Sequence, residues 1–256
     1  RKPVLLWFHG GWGWLGDRFG GGPDAEEFIR YARLGFAVVS IEYRLAAFGW
    51  QGAHQVEDGL DALRFLPSVA DKYGLDLARV TTAGNSGGAL PAYLAAYRAG
   101  PRGIPGVVGT VGMYGNSDLA WGYWEAPRNN DGWGRERLMT EYLCGGVPKR
   151  RGTGEGQADC SEMDVLAAAG EHAVPTLSIF GSRDESYSPQ HAVRLGKRLD
   201  ELGVPNFALV VPMGRHGSDR ILGSPMSQLS RFAEERFFAA FSGLGPEAAQ
   251  GGRAEL

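Results

Sequence analysis

Residues 84–88 read Gly-Asn-Ser-Gly-Gly, at the point where "ARVTTAGN" gives way to the alanine-rich "ALPAYLAAY". A serine set among glycines between a strand pattern and a helix pattern is the arrangement of a nucleophile held on a tight turn. The backbone of such a turn is strained, so the residues two before and two after the serine must be small. Gly84 and Gly88 meet that demand. In a chain with 40 glycines the pentad alone carries little weight. Without its flanking strand and helix it would read as a helix start with no chemistry.

A serine hydroxyl needs a base within hydrogen-bond reach to act as a nucleophile. Of the five histidines, His216 in "VVPMGRHGSD" follows a strand-like run and stands in a Gly-containing loop, so it falls at the carboxyl edge of a sheet where strand ends converge. His54 and His191 lie on helical patterns and His172 in a linker, which predicts surface positions for all three. An imidazole in this role needs a carboxylate to fix its tautomer and stabilise its cation. Asp184, in "LSIFGSRDESYSP", is the first carboxylate after a strand and gives the order Ser, Asp, His along the chain; Glu185 and Asp219 compete with it. Amide donors for the oxyanion are expected from Gly10 and Gly11, in the loop "FHGGWGWLGD", and from Gly87. His9 reads as a hydrogen-bonding partner of that loop and not as a second base. The chemistry these residues could perform together is acyl transfer through a covalent intermediate.

Such groups must be positioned by a sheet. Strand-like runs recur at "PVLLWFHG", "FAVVSIEYR", "ARVTTAGN", "GVVGTVGMYG", "PTLSIFGS" and "FALVVPMG", mostly with helical stretches between them. Near-continuous apolar strands alternating with helices predict a mostly parallel α/β sheet covered on both faces. "PDAEEFIRYARLG" reads as a helix with an acidic first turn, burying Phe28, Ile29 and Ala32. "HQVEDGLDALRFLPSVADKYG" has Val56, Leu60 and Leu63 at helical spacing and stops at Gly74. In "SPMSQLSRFAEERFFAAF" the apolar stripe is expected at Leu229, Phe232, Arg236 and Phe237. Residues 116–170 break the rhythm and read as an insertion over the sheet edge. One domain over 1–242 is expected, with residues 243–256, rich in Gly and Ala, as a disordered tail.

A hydrophobic share of 43%, a charged share of 21% and a net charge of -3 describe a globular protein with no basic surface for nucleic acid. No apolar run is long enough for a membrane span, and no leader pattern precedes Val4. A cytoplasmic location is favoured, with export as the alternative if a leader lies upstream. The two cysteines, Cys144 and Cys160, lack zinc-site spacing, and both a local disulfide and two free thiols fit them. No metal and no cofactor is expected. Trp12, Trp14, Trp121 and Trp124 fall in predicted loops, which suits an aromatic-walled substrate pocket and equally a small core within the insertion.

Taken in order, these motifs resemble the α/β-hydrolase superfamily, and within it the hormone-sensitive-lipase-like and bacterial carboxylesterases. "HGGWGWLGD" is similar to the family's His-Gly-Gly-Gly-Trp loop, "VVSIEYRL" to its Tyr-Arg-Leu strand end, and "YGLDLARVTTAGNSGG" to the approach to its nucleophile. "GSRDESYSP" and "GRHG" resemble the acid and base loops. Trp12 stands where the family has a third glycine, and Asn85 and Gly87 replace the commoner Glu and Ala. The resemblance implies an α/β-hydrolase fold with a small cap before the acid-bearing strand and without the usual leading strands. It also implies a serine esterase with Ser86, Asp184 and His216 as triad; the loop tryptophans and the lack of a long apolar lid helix favour small esters, short-chain or aryl, and a homodimer is the assembly considered. An amidase or peptidase of the same fold, and an inactive binding module, are the alternatives.

Overall fold

A computed structural model describes residues 1–20, 23–126 and 133–244. Six strands form one sheet: β1 (Lys2–Phe8), β2 (Ala37–Ile41), β3 (Leu75–Asn85), β4 (Val107–Met113), β5 (Thr176–Gly181) and β6 (Asn206–Val211). Their spatial order is β2-β1-β3-β4-β5-β6, and every pairing is parallel. The runs read as strands from the sequence are these six.

The order matters for function. The chain leaves β1 for the edge strand β2, then returns to the other side of β1 as β3. The direction of winding therefore reverses between β1 and β3, which is where a parallel sheet opens a crevice beyond its carboxyl ends. Phe8 pairs with Gly84 in register, so the loop after β1 and the turn after β3 emerge side by side.

Helices α1 (Pro23–Leu34), α2 (Gly52–Tyr73), α3 (Ala89–Ala99), α4 (Leu119–Trp124), α5 (Trp133–Cys144), α6 (Val165–Ala168), α7 (Gln190–Glu201) and α8 (Pro225–Ser242) complete the described elements, with short 3-10 turns between some of them. Side-chain alternation along β1 divides the core: Val4, Leu6 and Phe8 face α2 and α3, and Leu5 and Trp7 face α1 and α8. Val56, Leu60 and Leu63 of α2 are buried, and Gly74 ends that helix at φ 63.

The helices on the other face differ from expectation in phase. In α1, Tyr31 is buried and Phe28 half-buried, whereas Ile29 is 54% exposed and Ala32 is exposed. In α8, Leu229 (43%) and Phe232 (59%) turn to solvent and Arg236 is exposed, while Met226, Ala233, Phe237 and Phe238 face the sheet. The buried stripe of α8 includes Ser230 and Glu234, so a pattern built on apolar residues alone is rotated away from the true inner face.

Between β4 and β5, α4, α5 and α6 follow one another without a strand among the described residues. Leu143 of α5 lies against Gly13 and against Gly52 at the start of α2, so this segment sits over the carboxyl-end rim beside the first loop. A Cys144–Cys160 disulfide closes it. The tail from residue 245 lies outside the described residues, as do 127–132 of the insertion. No helix among the described residues is long and apolar enough to cross a membrane.

Candidate active site

Ser86 opens a 3-10 turn between β3 and α3 with φ 50, a left-handed conformation rare for a residue with a side chain. The turn is possible because its flanks lack side chains. A Cβ on Gly84 would meet the Gly88 carbonyl oxygen at 2.3 Å, and one on Gly87 would meet the Trp12 backbone at 2.5 Å. The first loop therefore lies directly against the turn.

His216 Nε2 is 2.9 Å from Ser86 Oγ, and His216 Nδ1 lies 2.9 and 3.0 Å from the two Asp184 carboxylate oxygens. Asp184, 1% exposed, also accepts the amides of Ser186 and Tyr187 at 2.8 and 2.9 Å. Two backbone amides thus hold the carboxylate independently of the imidazole. The loops bearing Asp184 and His216 approach closely because Gly181 faces Gly214, where a Cβ would lie 2.2 Å from a backbone oxygen. Tyr114 packs edge-on against His216 with ring centres 4.7 Å apart.

The competing carboxylates have other partners. Glu185 accepts the backbone amide of His216 at 3.2 Å and pairs with Arg215. Burial opposes its ionisation, but those donors outweigh it and hold the carboxyl below its ordinary range. Asp219 accepts from Tyr114 Oη at 3.2 Å. Burial pushes the Asp219 carboxyl up, against the pull of Arg220 and Tyr114.

In the first loop, Gly11, Trp12 and Gly13 all have positive φ, at 113, 59 and 70. The amides of Trp14 and Leu15 donate to the Gly11 carbonyl. Among the described residues the amides of Gly10 and Gly11 have no intramolecular acceptor. His9 is buried, stacks on Tyr43 at 4.2 Å and contacts the Gly10 carbonyl through Nδ1 at 2.7 Å, while Tyr43 Oη donates to the His9 carbonyl. It braces the loop, and the hydroxyl of Ser86 is bonded to His216 instead.

A cavity of about 410 Å3 is lined by Gly10, Gly11, Trp12, Ser86, Tyr114 and His216, together with Asp17, Asp24 and Arg220. Trp12 thus borders it; Trp14, Trp121 and Trp124 do not. Trp14 packs on Tyr142 at 4.1 Å, Trp121 lies between His191 and Arg194, and Trp124 donates to the Pro148 carbonyl. Their rings find partners within residues 116–170 and on α7, so most of the aromatic content packs the insertion. His172 is exposed and His54 half-buried, but His191 is 1% exposed and bonded to Glu136 at 2.8 Å. Its expected surface position is wrong because the partner that makes burial affordable lies 55 residues away and leaves no local pattern.

Sequence reasoning did not single out Asp24 or Arg220. Asp24 was legible only as part of an acidic first turn, the usual complement to a helix dipole.

The family model described as BD-FAE matches residues 1–120. Esterase LipI of Mycobacterium tuberculosis (strain ATCC 25618 / H37Rv) is 34% identical over 110 residues, 42% of this chain and 33% of LipI. Ethyl acetate hydrolase of Pseudomonas putida is 26% identical over 220 residues, 83% of this chain and 65% of that protein. The crystal structure of esterase LipW from Mycobacterium marinum superposes with a TM-score of 0.73 at 22% identity, covering 90% of this chain and 70% of that one. The chain shares the α/β-hydrolase fold of these esterases. The chain spans a third of LipI and just under two thirds of the ethyl acetate hydrolase.

Proposed function

We propose that this α/β-hydrolase cleaves small carboxylic esters through an acyl-enzyme. The observation that carries the reading is the 2.9 Å contact from His216 Nε2 to Ser86 Oγ, on an imidazole whose other nitrogen is held by Asp184. Ser86 Oγ attacks the ester carbonyl carbon as His216 takes its proton; the amides of Gly10, Gly11 and Gly87 stabilise the tetrahedral oxyanion. Collapse breaks the carbon–oxygen bond to the alcohol, which leaves with the proton from His216. Water, deprotonated by the same imidazole, then attacks the acyl-enzyme and releases the acid and free Ser86. Asp184 holds the ring and stabilises its cation without taking the proton.

The modest cavity, bordered by Trp12 and Tyr114, supports short-chain or aryl esters. The Cys144–Cys160 disulfide supports an oxidising compartment and favours export over the cytoplasm. A homodimer is supported by the open edge strand β6, whose exposed Phe207 lies beside Leu229 and Phe232; light scattering at graded concentration tests it.

A fluorophosphonate probe together with p-nitrophenyl acetate and butyrate tests the activity. Stoichiometric modification of Ser86 with ester turnover is expected. A folded protein that stays unlabelled would reduce the chain to a binding module, and faster turnover of an aminopeptide analogue would make it an amidase.

A further inference from the structure

Ser86 and His216 are brought together from strands that are not neighbours: β4 and β5 lie between β3 and β6. The acid and base loops are joined through Gly181 and Gly214, but that junction leaves the nucleophile's turn outside it. One side chain spans the gap. Asp24 Oδ1 accepts from Asn85 Nδ2 at 2.9 Å and from the Arg220 guanidinium. Asn85 immediately precedes Ser86, and Arg220 lies four residues after His216 in the base loop.

Asp24 does not behave as an ordinary first-turn acid. Such a residue complements the helix dipole from the surface at little desolvation cost. Asp24 is 4% exposed, its side chain directed inward against Gly20, and burial pushes its carboxyl above the ordinary range despite Arg220, Asn85 and His9. Complementing a dipole does not require that burial; bridging two loops does. The α1 helix supplies a rigid mount, since the Asp24 amide is itself bonded to the Gly20 carbonyl.

We propose that Asp24 is a positioning residue that sets the separation of Ser86 and His216 by holding Asn85 and Arg220 on one carboxylate oxygen. The inference rests on the serine-hydrolase reading. It assigns to α1, which bears none of the proposed triad, the task of keeping nucleophile and base in register. A displacement of about 1 Å between reacting groups can cost on the order of 100-fold in rate.

The test compares wild type with Asp24→Ala, Asp24→Asn, Arg220→Lys and the exchange Asp24→Asn with Asn85→Asp. The readouts are the rate of Ser86 phosphonylation by a fluorophosphonate, kcat and KM on p-nitrophenyl butyrate, and Tm. Asp24→Ala is expected to slow phosphonylation and kcat together by about 30- to 100-fold, with KM within about threefold. Arg220→Lys, which keeps a cation for Asp24, and the exchange, which restores one carboxylate to the pair, should each recover to within about tenfold of wild type. Phosphonylation and kcat within about threefold of wild type in Asp24→Ala would overturn the proposal, as would a loss confined to KM, the mark of a substrate contact. If Asp24→Ala does not fold, Asp24→Asn against the exchange decides: a faster exchange supports positioning, and equal rates overturn it. An unlabelled wild type would remove the serine-hydrolase reading itself, whereas a labelled wild type with unaffected variants removes only the role of Asp24.

Discussion

Among the described residues two sets of serine, histidine and carboxylate stand out. In one, Ser86, His216 and Asp184 converge on a cavity at the carboxyl ends of the strands. In the other, His191 Nε2 is 2.8 Å from Glu136 and its Nδ1 is 3.3 Å from both the amide and the hydroxyl of Ser117. The residue types nearly match, but their surroundings do not. Ser117 is buried, and its hydroxyl donates to the His191 carbonyl at 3.0 Å, so it is turned into the backbone of α7. Trp121 covers the ring edge-on. Ser86 instead stands on a strained turn with the Gly10–Gly11 loop against it. What sets the proposed triad apart from the second set is therefore the strained turn, free amide donors and access; the residue types and their hydrogen bonds do not distinguish the two.

Replacing the two serines should separate the sets most widely. Ser86→Ala is expected to lower kcat on p-nitrophenyl butyrate by about 10^4-fold or more with Tm nearly unchanged. Ser117→Ala should keep kcat within about threefold and lower stability by about 1–2 kcal/mol, read by denaturant melts. Equal losses of activity in the two variants would erase the distinction.

The carboxylates follow. Asp184→Asn should reduce kcat by about 10^3- to 10^4-fold, because the wrong ring tautomer is then favoured. His191→Ala removes the partner of a buried Glu136 oxygen and should cost about 1–3 kcal/mol, lowering Tm by roughly 3–10 °C with little change in KM.

A further effect concerns a buried carboxylate that belongs to neither set. Burial pushes Glu234 up from 4.5 to about 7, although Arg30 pulls it down. The folded state therefore binds this proton more tightly than the unfolded chain, and the stability so gained is present at low pH and lost as pH rises from 4.5 through about 7. Comparing Tm at about pH 5 and about pH 8, wild type should lose on the order of 1–3 kcal/mol more than Glu234→Gln. Parallel curves for the two proteins would show that Glu234 carries no such penalty.

Much of this was legible in the chain itself. Strand runs from "PVLLWFHG" to "FALVVPMG" could be read because a parallel sheet buried on both faces needs nearly unbroken apolar segments. The turn at Ser86 and the candidate base and acid were legible because their loops follow strands. The loop tryptophans were harder: they read as a pocket wall as readily as a core, and three of the four named rings, Trp14, Trp121 and Trp124, pack away from the cavity beside Ser86. The inner face of α8 was misread because Ser230 and Glu234 lie on it, and polar residues become tolerable inside only through partners on other elements.

The sequence by itself determined the alternation of strands and helices, the small residues that permit the turn at Ser86, and the order of Ser86, Asp184 and His216. These are consequences of local sterics and periodicity, written in adjacent residues. Only the tertiary structure decided which carboxylate faces His216, that Cys144 meets Cys160, that His191 is buried on Glu136, and that Asp24 lies between Asn85 and Arg220. Each is a contact between residues far apart in the chain, where hydrogen bonds and burial act through space and leave no mark on the neighbouring sequence.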